Sequence, residues 1–122
     1  MTMASNPTDL SVRHSGAITI IEFLDRRLID AVQIERIGER ILELVNSAAI
    51  PKVVLDFNKV EYLSSTALNV LIRVENAIDL KKGELRLSSL DPDLRKVFTL
   101  MKLDKVMKIC KDTDEAVTSI KA

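Results

Sequence analysis

Apolar and polar positions change period several times along this 122-residue chain, and each change marks an element. Leu10 and Val12 alternate with polar neighbours, Ser15-Gly16 has the composition of a tight turn, and residues 17–23 (AITIIEF) are apolar and β-branched. Two such runs around a Gly-containing turn predict a β-hairpin. From Asp30 the period lengthens. Ile34, Ile37, Ile41, Leu44, Val45 and Ala48 recur at spacings suited to one helix face, and Glu35, Arg36, Glu39, Arg40 and Glu43 occupy the other. This predicts an amphipathic helix over residues 30–47. Asp30 followed by Gln33 has the form of a capping box. Gly38 costs that helix about 1 kcal/mol against alanine and marks a site of close packing.

Pro51 closes the connection, and residues 52–57 (KVVLDF) form an apolar run without helical period, read as a buried strand. Ser64-Ser65-Thr66 then precede a second apolar helix over 66–81, which Lys82-Gly83 stops with C-terminal chemistry. Residues 84–88 (ELRLS) alternate as a strand. Asp91-Pro92 supplies an N-cap and a proline in the first turn of a short helix whose core stripe is Leu94, Val97, Phe98 and Met101. Residues 105–110 (KVMKIC) alternate again, and Asp112 with Glu115 opens a last helix carrying Ala116, Val117 and Ile120. The order β-β-α-β-α-β-α-β-α requires a single α/β domain with a mixed, mostly parallel sheet of five strands and four helices. Residues 1–9 are polar and small with Pro7 and read as a flexible lead; residues 10–122 are the domain.

Composition narrows the function. Hydrophobic residues make up 47% of the chain with only three Phe, so the core is built of Ile, Leu and Val. Eighteen basic residues balance eighteen acidic ones, leaving no global field to hold nucleic acid or an anionic membrane. Cys110 is the one cysteine, which with the missing signal peptide points to a reducing compartment, the cytoplasm. No apolar run approaches the roughly 18 residues of a membrane span. His14 is the one histidine; it sits in the first hairpin, far in sequence from the serine-rich segment LSSTAL, which is not a G-x-S-x-G elbow. Three glycines in total build no phosphate loop, and Asp25, Asp30 and Asp56 read as surface, cap or strand-end residues. No cofactor, metal site or catalytic set is expected, and the chain reads as a binding module rather than an enzyme.

The informative segment is Val60-Glu61-Tyr62-Leu63-Ser64-Ser65-Thr66-Ala67-Leu68, where a buried strand hands over to a helix. Unpaired N–H groups and the helix dipole make such a mouth hospitable to phosphate. A phosphoserine adds a charge of about −1.5 to −2, enough to repel a protein lying on that spot without unfolding the domain. Ser and Thr are also simply good N-caps, so capping and regulation both account for these hydroxyls. On the outgoing helix, at about 100° per residue, Val70, Leu71, Val74, Ala77 and Ile78 share an arc assigned to the core. Ser65 projects on the other side with Leu68, Asn69, Ile72, Asn76 and Asp79, where Ile72 either docks a partner or packs on a neighbouring loop.

With these residues in view, the chain resembles the STAS domains, named for sulfate transporters and anti-sigma-factor antagonists, and within them the free-standing bacterial antagonists. The likeness runs from about Leu10 through the hairpin, the Asp30 helix, VVLDF, the serine loop and SLDPDLRKVFTLMKLDKVMKI. The family's loop reads Asp-Ser-Ser/Thr-Gly/Ala-Leu, matched here by Ser64, Ser65, Thr66, Ala67 and Leu68. The resemblance implies phosphorylation at Ser65, a switch loop of Ser64, Thr66 and Ala67, and partner contacts from Leu63, Leu68, Asn69, Ile72 and Asn76. It implies an antagonist that binds an anti-sigma factor with serine kinase activity, frees a sigma factor, lets go when phosphorylated, and is reset by a serine phosphatase. Ser64 stands where the family usually has aspartate, which favours an alternative: an unphosphorylated STAS subunit of a membrane lipid-transport complex or signalling scaffold. A small-molecule binder or enzyme would instead show a deep pocket lined by ionisable groups around these residues.

Overall fold

The computed structural model describes residues 9–121, so residues 1–8 of the expected lead lie outside the described part. The chain runs β1 (Leu10–Ser15), β2 (Ile18–Phe23), β3 (Arg27–Leu28), α1 (Ala31–Asn46), β4 (Lys52–Asp56), β5 (Tyr62–Leu63), α2 (Ser65–Leu80), β6 (Glu84–Ser88), α3 (Pro92–Leu100), a 3-10 turn (Leu103–Lys105), β7 (Lys108–Cys110) and α4 (Thr113–Lys121). All nine expected elements are present in the expected order. The additions are the 3-10 turn and the two-residue strands β3 and β5, too short to carry a hydrophobic period.

β1 and β2 pair antiparallel about a turn at Gly16-Ala17, where Gly16 takes φ +60. Glycine at the first central position is what a two-residue hairpin of the II′ kind demands. The remaining strands join in parallel in the order β1-β2-β4-β6-β7. Because side chains alternate across a strand, the sheet has two apolar faces. Ile21, Phe23, Val53, Leu55, Leu85 and Leu87 meet α1, α2 and α3 in the main core. Ile18, Ile20, Val54 and Cys110 meet Ala116 and Ile120 of α4 in a smaller one. Arg86 is buried on that second face, its Nε donating to Ser119 Oγ at 2.9 Å and Nη1 to Glu84 at 2.9 Å.

Boundaries differ from expectation where local hydrogen bonds compete with the pattern. The strand read over 105–110 is shorter, since the Met107 N–H donates to Leu103 O at 2.8 Å and keeps residues 103–107 coiled. Val106 is left exposed while Met107 is buried. α2 starts one residue earlier and ends one earlier than expected. Its stop uses Lys82 at φ 59, with the Gly83 N–H donating to Ile78 O at 2.9 Å. Lys81 reaches across to accept no bond but to give three, to the carbonyls of Val45, Asn46 and Ala48, satisfying the end of α1. Gly38 does mark a close approach: a Cβ there would lie 3.0 Å from Val70 Cγ1 of α2.

The Asp30–Gln33 capping box is only half made. Asp30 accepts from the N–H groups of Val32 and Gln33 at 2.8 and 3.1 Å. The Gln33 amide turns away from Asp30 and donates to Asp9 at 3.3 Å and Asp25 at 3.1 Å. Asp9, buried, also takes Arg36 Nε at 3.0 Å, which ties residue 9 to α1. Parallel strands present all their carboxyl ends along one sheet edge, where ligands of open α/β sheets bind. The segments 24–30, 57–64 and 89–91 emerge there, and the second of these ends at Ser64 and leads into Ser65.

Candidate functional site

The segment after β4 rests on an aromatic base. Phe57 is fully buried, with its N–H on Ser88 O at 2.9 Å. Its ring lies 4.9 Å from that of Phe23 and 6.3 Å, edge-on, from that of Phe98. All three phenylalanines of the chain are thus spent under one loop. Asp56 is a strand-end residue that accepts the Asn58 N–H at 2.9 Å, and the Val60 N–H closes a turn on Phe57 O at 3.0 Å.

The chain then pairs with a distant segment. Arg27 is in register with Tyr62 and Leu28 with Leu63 in a parallel two-strand ladder. The Glu61 and Tyr62 N–H groups both donate to Arg26 O, at 2.7 and 3.1 Å, and the Ser64 N–H donates to Leu28 O at 3.0 Å. Arg26 pairs with both oxygens of Glu61 at 3.1 and 3.3 Å. Both side chains are exposed, so that pair adds at most about 1 kcal/mol. The Arg27 guanidinium lies 4.9 Å from the centroid of the Tyr62 ring, a cation–π contact. Hydrogen bonds from Gln33, and then from the Arg27 N–H, hold the Asp25 carboxyl below its usual pKa and brace the start of this segment.

At the helix mouth the two serines have different positions. Ser64 is the N-cap, with φ −80 and ψ 167, its Oγ accepting the Ala67 N–H at 3.2 Å and its carbonyl accepting the Leu68 N–H at 3.1 Å. Ser65 is the first helical residue and is exposed, and its hydroxyl has no hydrogen-bond partner among the described residues. Thr66 is exposed and Ala67 is buried. The N–H groups of Ser65 and Thr66 have no acceptor among the described residues, leaving two donors at the positive end of a 16-residue helix.

Of the residues expected to meet a partner, Asn69 and Asn76 are exposed, while Leu63 and Ile72 are half-buried and packed on the main core. Leu68 is a correction: it is 5% exposed and belongs to the core. α2 packs on α1, β5 and β6, and Leu68 joins the main core formed there. Two exposed apolar residues lie next to the serines instead: Tyr62 within the same segment, and Ile29 beside Leu28, the ladder partner of Leu63. Ile29 and Tyr62 are 46% and 54% exposed. Ile29 and Tyr62 come to this place only through the β3–β5 ladder.

Beneath the ladder lies an apolar void of about 10 Å³ lined by Phe23, Leu28, Ile37, Leu63, Ala67 and Val70 among others, near the minimum for one water molecule. Among the described residues no group of His, Cys, Asp or Glu could hold a metal ion, and no helix is long and apolar enough to cross a membrane.

The sequence matches the STAS domain over residues 9–116. BtrV of Bordetella bronchiseptica, assigned as an anti-sigma factor antagonist, is 30% identical over 70 residues, covering 57% of this chain and 60% of that relative's length. An anti-sigma-factor antagonist (STAS) domain protein from Planctomyces limnophilus superimposes with a TM-score of 0.80 at 24% identity, over 93% of this chain and 99% of that one. The Bacillus cell fate determinant SpoIIAA, solved in its phosphorylated form, gives a TM-score of 0.71 at 18% identity, over 91% and 98%. These structures share the α/β architecture, and with the domain match covering nearly all of the described residues, the chain belongs to the STAS domain family.

Proposed function

We propose that this protein is an anti-sigma factor antagonist that covers an anti-sigma factor with the surface around Ser65, and that phosphorylation of Ser65 by that factor's serine kinase activity separates the two. The observation that carries the reading is the division of labour between the serines. Capping, the competing explanation for a hydroxyl here, is performed by Ser64, and the Ser65 hydroxyl stays exposed and unengaged. Near it Ile29 and Tyr62 offer apolar area, and Asn69 with Asn76 further along α2 offer polar contacts, the composition of a protein interface. A phosphate on Ser65 would sit against the free N–H groups of the helix mouth, so the modified domain stays folded while the covered surface changes sign.

The test is incubation with the cognate serine kinase and ATP, followed by mass mapping and a binding measurement. Phosphate on Ser65, and a Ser65→Ala variant that the kinase no longer releases, are the expected results. Modification confined to other residues, with Ser65→Ala still released, refutes the switch. Ser64 in the place of the family's aspartate favours the second reading, an unphosphorylated subunit of a transport complex or scaffold. Copurification from native cells separates the two, because a transporter ATPase or scaffold would then accompany the chain in place of a kinase.

A further inference from the structure

An open groove of about 410 Å³ runs beside the switch loop, between β5 and α3. Its apolar floor is Leu63, Leu94 and Val97, and its rim carries Glu61, Asp91 and Asp93. Charge is balanced over the whole chain, yet among the described residues no Lys or Arg lines this groove. The bases of the same helix, Arg95 and Lys96, line a separate depression with Pro92, Thr99 and Leu100. Two of the rim carboxylates are partly engaged, Glu61 by Arg26 and Asp91 by the Leu94 N–H at 2.9 Å. Asp93 is exposed and has neither hydrogen bond nor ion pair among the described residues.

We infer that this groove seats an arginine-bearing segment of a protein partner, its methylene stem on Leu63, Leu94 and Val97 and its guanidinium among the three carboxylates. An apolar floor under an anionic rim matches a side chain that buries its stem and keeps its cation at the edge. Arginine fits better than lysine because its planar fork pairs with carboxylates in two-point fashion. Glu61 and Leu63 immediately precede the serines, so a partner covering Ser65 reaches this groove in the same contact. The inference rests on the proposed function only in taking the partner to be the one that covers Ser65.

The groove's chemistry is testable without that partner. The isotope-labelled full chain is titrated by NMR with a short blocked peptide of Arg, Leu and Ala, and with its counterpart carrying Glu for Arg. Shifts concentrated at residues 61–63 and 93–97 are expected with the first peptide and none with the second. Asp93→Lys is expected to weaken the Arg peptide about tenfold, and binding should fall steeply as salt shortens the reach of exposed charges. Asp93→Asn, which keeps size and removes the charge, is the second variant, with a loss of about threefold. An equal response to the Glu peptide, shifts elsewhere or none, or unchanged affinity in both Asp93 variants overturns the inference. Failure of Ser65 to be phosphorylated would defeat the switch and leave this titration unaffected, so the two ideas fall separately.

Discussion

The two serines at the start of α2 should separate cleanly in a stability measurement. Ser64 Oγ accepts the Ala67 N–H at 3.2 Å, and among the described residues no other side chain caps that helix. Replacing an N-cap serine by alanine removes that acceptor and typically costs about 1 kcal/mol, within a range of about 0.5–2. Ser64→Gly should cost only a few tenths, and Ser64→Asp close to nothing, because aspartate caps as well as serine. Ser65 makes no comparable bond among the described residues and is exposed. Alanine is also the better helix former, so Ser65→Ala should stay within about 0.5 kcal/mol of wild type. Ser65→Glu puts an anion on the positive end of the helix and should raise stability by about 0.3–1 kcal/mol at low salt, less as salt screens it. Urea unfolding followed by circular dichroism, with midpoints compared at constant m-value, resolves differences of this size. A Ser65→Ala loss as large as that of Ser64→Ala would refute the assignment of cap and free hydroxyl. A Ser65→Glu domain that unfolds would refute the claim that the switch acts on a surface and not on the fold.

Gly38→Ala gains about 1 kcal/mol of helix propensity but forces a Cβ to 3.0 Å from Val70 Cγ1, a buried, χ1-restricted side chain, at about 1–3 kcal/mol of overpacking. The expected net loss is about 1 kcal/mol, reversing to a gain in a Val70→Ala background; urea melts of the four proteins check it, and a stabilised single variant contradicts it. Phe57→Ala removes the fully buried ring between Phe23 and Phe98 and should cost about 3–5 kcal/mol, with hydrogen exchange accelerated first over residues 57–64. Burial, and next the Asp79 charge, raise the Glu75 pKa above 4.5, so the folded state holds that proton more tightly than the unfolded one. Stability therefore declines as pH climbs through the window just above 4.5, and Glu75→Gln should flatten that decline and be more stable at neutral pH. A Gln variant with the wild-type pH profile counts against it.

What could be read in advance was whatever a short stretch of chain decides for itself. Periods of two and of three to four positions located the strands and helices, and Asp30 and Asp91 announced helix starts because a cap depends on neighbours within one turn. The element order then required a mostly parallel sheet, since helices between strands leave few other connections. The loop serines were conspicuous for the same local reason.

Which serine caps and which stays free was not decided locally, because Ser64 and Ser65 are equal cap formers and a shift of one residue exchanges their roles. The Ser64 N–H on Leu28 O sets that register, and Leu28 lies far away in sequence. The same ladder of two residues on each side carries Ile29 and Tyr62 to the rim of the site, too short a pairing to leave any period in the sequence. Leu68 is buried although helical phase turns it toward solvent, because phase gives direction but not what stands there, and the packing of α2 takes it into the main core. Gln33 left its expected cap partner for Asp9 and Asp25, contacts that exist only once the chain has closed. Short-range chemistry thus determined the elements and nominated the residues, while long-range backbone pairing and packing decided which of them face solvent.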